Sequence, residues 1–105
     1  MTNKTQKQQD EDLLVADRED VASPKMFKVM LLNDDYTSMD FVVDILEQIF
    51  GKSPTEAVQI MMAVHKSGQG LCGIYAKQIA ETKILQVHNE ADRASFPLKC
   101  IMEEA

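Results

Sequence analysis

The sequence predicts an α+β domain: a β-α-α-β-α-β sandwich in which a three-stranded antiparallel sheet packs against three helices, preceded by a disordered amino-terminal arm. Three observations carry this expectation. MFKVMLL, residues 26–32, alternates in side-chain character. Two runs of helical spacing follow, each opened by a hydroxyl residue and closed by glycine. Two short apolar segments, GLCGIY and PLKCIM, then bracket a third helical stripe.

Residues 1–25 are rich in Gln, Asp, Glu and Lys, hold only the apolar cluster Leu13, Leu14 and Val15, and end in Ala22-Ser23-Pro24. Such a composition cannot bury enough surface to offset the entropy of ordering, so 1–25 reads as the arm and 26–105 as the domain. In MFKVMLL, Phe27, Val29 and Leu31 alternate with Lys28, Met30 and Leu32, as in a strand with at least one buried face. The strand stops at Asn33. Thr37 with Asp40 three residues on resembles a capping box, and Val42, Ile45, Leu46 and Ile49 recur at helical spacing until Gly51. Ser53-Pro54-Thr55-Glu56 is a stronger box with proline where a first turn tolerates it; Ala57, Val58, Met61, Met62, Val64 and His65 carry a broad apolar face to Gly68. Gly70 to Tyr75 reads as a strand, Ile79, Ala80, Ile84, Val87 and Ala91 as the third helical stripe, and Pro97 to Met102 as a last strand with proline at its start.

At 105 residues the chain has material for one core and no second domain. A formal net charge of -6 argues against a duplex nucleic-acid binder, because counterion release requires clustered Lys and Arg. No stretch approaches the roughly 20 apolar residues of a membrane span, and the first residues have no signal-peptide core. Cys72 and Cys100 lack CxxC spacing and read as two buried thiols in a reducing cytoplasm. A monomer is the default expectation from the acidic charge and small core.

The chemistry concentrates in LLNDDYTSMDF, where Asn33, Asp34 and Asp35 lie side by side at a strand end. His65 follows Met61 by one turn on the second helix. A carboxylate, an amide oxygen and a neutral imidazole nitrogen are all acceptors, a set that suits a ligand bringing several donors. A metal site built from one Asp and His65 lacks HExxH, Cys-His or EF-hand spacing. A hydrolase would need an oriented nucleophile; there is no GxSxG, and Cys72 sits on a strand that reads as buried. The purely structural alternative makes Asn33 to Asp35 an Asx-type turn capping the first helix, with His65 a satisfied histidine at the core edge.

LLNDDYTSMDFVVDIL, AVHKSGQGLCGIY, AETK and FPLKC closely resemble the ATP-dependent Clp protease adaptor family, ClpS, from about Met26 to the carboxyl terminus. The resemblance implies a non-enzymatic adaptor without cofactor or metal. It would bind N-degron substrates beginning with Leu, Phe, Tyr or Trp and hand them to the ClpA unfoldase of the ClpAP protease, with an unstructured arm engaging the unfoldase. By position, the family's amino-group ligands fall on Asn33, the Asp34-Asp35 pair and His65, and its side-chain pocket on Leu31, Thr37, Met39, Val42, Met61, Val64 and Leu98. Met39 would gate against β-branched first residues. A free α-amino group, with a pKa of about 7.7 to 8.0, is largely cationic at neutral pH and presents three N–H donors, which explains acceptors with no basic neighbour.

The chain departs from the family at Ser38, where proline is frequent, and at Gln78, where some relatives carry an acidic residue that helps bind the ClpA amino-terminal domain. Lys83 in AETK is retained as the second docking residue; without the resemblance it reads as a solvated helix lysine. The alternative function is a protein-interaction module like the carboxyl-terminal domain of the ribosomal stalk protein, which the same element order also resembles.

Overall fold

The computed structural model describes residues 24–105. Most of the arm expected over 1–25 therefore lies outside the described residues. The order is β1 (Met26–Leu32), α1 (Met39–Gln48), α2 (Pro54–Ser67), β2 (Gln69–Ala76), α3 (Lys77–Ala94) and β3 (Lys99–Glu104). The three strands form one antiparallel sheet in the order β2-β1-β3. The first strand in sequence is thus the middle strand in space. Its alternation sets the two faces: Val29 and Leu31 are fully buried, joined by Cys72 from β2 and Cys100 from β3. Leu46, Ala57, Val64, Ala80 and Val87 close the same core from the three helices.

Local chemistry fixes the helix ends. Ser38, with extended backbone, caps α1 by accepting the Phe41 N–H at 3.1 Å. The cap lies one residue beyond the expected Thr37–Asp40 box, because the Thr37 N–H and hydroxyl are both engaged by Asp34. In α2 the Ser53–Glu56 box forms as expected, and Gly68 ends the helix in the left-handed conformation (φ 91°), its N–H donating to Val64. α3 starts without a side-chain cap and ends at Ser95, also left-handed.

Three expectations need correction. Val58 and Ile79, read as core-facing, are exposed. Each lies one residue, or about 100° of rotation, from a fully buried alanine, Ala57 or Ala80, so the buried stripe is narrower than the apolar one. β3 begins at Lys99 instead of Pro97: proline has no N–H for the ladder, and the first paired position is Lys99 opposite Leu32.

The α2–β2 contact requires glycine at residue 70. A Cβ there would lie 2.7 Å from a Val64 methyl and 3.0 Å from the Ile60 carbonyl oxygen, inside packing distance. Glycine lets α2 lie directly against β2. Gly70→Ala should therefore destabilise the domain by about 1–3 kcal/mol through overpacking, read as a lowered midpoint in urea. An unchanged midpoint would show that the contact relaxes freely.

Candidate functional site

The candidate site lies where β1 ends, between the amino terminus of α1 and the last turns of α2. The strand is tied to the helix by its backbone, since the Asn33 N–H donates to the Gly68 carbonyl at 2.9 Å. The chain then turns on Asp34. One carboxylate oxygen accepts the Tyr36 N–H (2.8 Å) and the Thr37 N–H (2.7 Å), and the other accepts the Thr37 hydroxyl (2.8 Å). Burial pushes the Asp34 carboxyl upward, but the Thr37 hydroxyl and the Thr37 and Tyr36 N–H groups outweigh it and hold the group below its ordinary value.

Asp34 is thus committed to the turn that its neighbours use as a frame. Asp35 is different. Exposed at the rim, it makes no side-chain hydrogen bond or ion pair among the described residues, and the same holds for the Asn33 amide and the His65 imidazole. His65 is exposed, which does not fit the structural alternative of a satisfied histidine at the core edge.

These groups surround a cleft of about 270 Å³ whose walls include Thr37, Met39, Val42, Met61 and Val64. Asn33, Asp34, Asp35 and His65 line the same cleft. It adjoins an inner recess of about 10 Å³ that shares Asn33, Asp34, Thr37, Val42 and Val64 and adds Leu32 and Leu98. Nine of the residues singled out from sequence thus meet in one cleft, and Leu98 joins at its inner end. Leu31 does not: it is fully buried and lines neither space, whereas its neighbour Leu32 lines the recess. Leu32 was missed because strand alternation assigns it away from the helices, a rule that lapses at the strand's last residue. Two residues before Leu98, the Phe96 ring packs on Phe41 of α1 at 4.9 Å between centroids. That aromatic pair also carried no signal in the sequence.

Gln78 and Lys83 line a separate groove along α3, about 370 Å³, with Ile79, Thr82 and Gln86. Lys83 is not the solvated lysine of the structural reading. Its ammonium donates to the Ile49 carbonyl at the end of α1 (2.8 Å) and lies 5.6 Å from the Tyr75 ring centroid and 6.0 Å from that of Phe50. A cation at a helix carboxyl end satisfies a free carbonyl and the local dipole. On the far side of α3, His88 accepts the Cys100 N–H (3.0 Å), covering an edge donor of β3.

Cys72 and Cys100 are free and buried, and burial pushes both thiols up to about 12, assisted at Cys72 by the neighbouring Cys100. Neither is a nucleophile at neutral pH. Among the described residues no group of three or more His, Cys, Asp or Glu is placed to hold a metal ion, and no helix is long and apolar enough to cross a membrane.

Fold and cleft together define a small α+β domain whose cleft pairs acceptors that are unengaged among the described residues with apolar walls. A family model described as "ATP-dependent Clp protease adaptor protein ClpS" matches residues 22–101. Relatives called ATP-dependent Clp protease adapter protein ClpS include one from Nitratidesulfovibrio vulgaris, 50% identical over 95 residues that cover 90% of this chain and 93% of the relative. Another, from Wolinella succinogenes, is 54% identical over 84 residues, covering 80% and 82%. The solved structure of Agrobacterium tumefaciens ClpS2 bound to L-phenylalaninamide is similar with a TM-score of 0.77 and 37% identity, covering 79% of this chain and 100% of that one. The chain belongs to the ClpS family of Clp protease adaptors.

The Asp34 turn has a signed pH dependence. Because the folded-state carboxyl is held below its ordinary value of 3.8, its stabilisation is present above that value and is lost as pH falls through the depressed one. Asp34→Ala should cost about 1 kcal/mol at neutral pH, and the gap between variant and native protein should close in acid. Urea midpoints measured from neutral to acidic pH test this; a constant gap would place the stabilisation elsewhere.

Proposed function

We propose that this adaptor recognises N-degron substrates by their first residue, Leu, Phe, Tyr or Trp, and delivers them to the ClpA unfoldase of ClpAP. The observation that carries the reading is the set of three acceptors, Asn33, Asp35 and His65, unengaged among the described residues and lining one cleft with Met39, Val42, Met61 and Val64. A protonated α-amino group supplies three donors and one positive charge to such a set, while the first side chain enters between Met39, Val42, Met61 and Val64. The phenylalaninamide bound to the Agrobacterium relative is a molecule of this form, a free amine beside an aromatic side chain.

Within this reading the two aspartates have separate work. Asp34 already receives three hydrogen bonds and shapes the turn, so Asp35 is the carboxylate that meets the amine. Docking on the ClpA amino-terminal domain would use the α3 groove containing Gln78 and Lys83, on an element that does not line the amine cleft. The adaptor would act as a monomer and carry out no chemistry of its own.

Titrating two labelled peptides that differ only in beginning with Phe or Gly tests recognition. The Phe-first peptide should bind more tightly by about 1.5–3 kcal/mol, the worth of burying a large apolar side chain. Equal affinity would remove the degron reading.

Met39 provides the selectivity test. It stands at the first position of α1, 44% exposed, on the cleft wall. A β-branched first residue would present its Cβ shoulder to this thioether. Met39→Ala should admit Ile-first peptides and weaken Phe-first ones by less than the roughly 1.5–3 kcal/mol of full side-chain burial. Continued rejection of Ile by the variant would locate the gate on another residue.

A further inference from the structure

Among the described residues the three helices pack on one face of the sheet and leave the other open. Across that open face the registers set Leu71, Met30 and Ile101 in one row, with Ile74, Lys28 and Glu103 in the next. Leu71, Ile74 and Ile101 are 44%, 48% and 38% exposed. Met30 is only 6% exposed although it is not part of the helix-side core, because it sits between Leu71 and Ile101. The result is an apolar strip across the full width of the sheet, larger than isolated surface residues would give. Lys28, Lys99 and Glu103 flank it on the same face, a net positive rim, and among the described residues neither lysine forms an ion pair.

We infer that this open sheet face is a docking surface for the chain's own segment 10–20, seated through Leu13, Leu14 and Val15. Two observations select this occupant. The sequence DEDLLVADRED brackets its apolar triplet with six acidic residues and one arginine, complementing a face whose apolar row is flanked by two lysines, Lys28 and Lys99, against one carboxylate, Glu103. The tether also reaches. The described chain begins at Pro24, next to the edge of the face where β1 starts, and the ten residues from Ala16 to Lys25 span at most about 33–36 Å. The seven residues of β1 span about 23 Å, so the triplet can reach every row of the strip. A connection this short holds the segment at an effective concentration on the order of millimolar, at which even a small apolar contact is populated. A second copy of the chain is disfavoured by its net charge of -6. The inference goes beyond amine recognition and stands independently of it.

The test uses the full chain. Leu14→Cys takes a nitroxide label selectively, because Cys72 and Cys100 are buried thiols pushed up to about 12. Amide resonances of Leu71, Met30 and Ile101 should broaden most, and those of Gln86 on α3 least. Leu13→Ser/Leu14→Ser should shift the same open-face amides in unlabelled protein, leaving Asn33 and His65 unmoved. Uniform broadening with no shifts in the serine variant would overturn the inference. Broadening centred on Asn33, Asp35 and His65 would do so too, by placing the segment in the cleft. In a mixture of spin-labelled and separately isotope-labelled chains, equal broadening of the second population would assign the face to another copy and overturn it as well.

Discussion

The geometry of the site depends on one carboxylate. By accepting the Tyr36 and Thr37 backbone N–H groups and the Thr37 hydroxyl, Asp34 folds the chain back from the end of β1 into the start of α1. Everything downstream takes its position from that turn. Thr37 is engaged, so the helix cap moves to Ser38; Met39 then becomes the first helical residue and stands on the cleft wall. Asp35, one residue along the same turn, is exposed, and its oxygens are unengaged among the described residues. One carboxylate builds the frame, and its neighbour remains on the cleft wall.

The opposite wall is held by backbone contacts of equal economy. Asn33 is tied to Gly68, and Gly70 allows α2 to lie on β2, which brings Met61, Val64 and His65 opposite the turn. The recess is therefore formed by elements that each belong to the core. β1 serves both ends of the argument: its helix-facing side anchors the core, its last residues open the cleft, and its other side carries the exposed apolar row.

Much of this was legible in the sequence because it is encoded locally. MFKVMLL alternates, Ser53 and Glu56 cap each other within four residues, and Gly68 supplies the left-handed stop, so each predicts its own structure without tertiary help. The cleft residues were legible through the run NDDYT with AVH at a fixed distance. What failed had competitors or distant partners. Thr37 could cap the helix or bind Asp34, and the carboxylate three residues before it won. Helical periodicity located α2 and α3 but not the width of their buried stripes, which left Val58 and Ile79 misplaced. Lys83 reaches a carbonyl 34 residues away and His88 an edge N–H 12 residues away, contacts that no local pattern announces. The separate roles of Asp34 and Asp35 needed coordinates, since side by side in sequence they are chemically identical.

The central claim is that the unengaged acceptors exist for a cationic amino terminus. It is tested most directly by calorimetric titration of one Phe-first peptide with its amino group free and then acetylated, a change that removes the charge and two donors while leaving the side chain intact. The account predicts a loss of at least about 2 kcal/mol, roughly thirtyfold in affinity, because Asp35 would keep its charge without a partner. Equal affinity for the two peptides would contradict it.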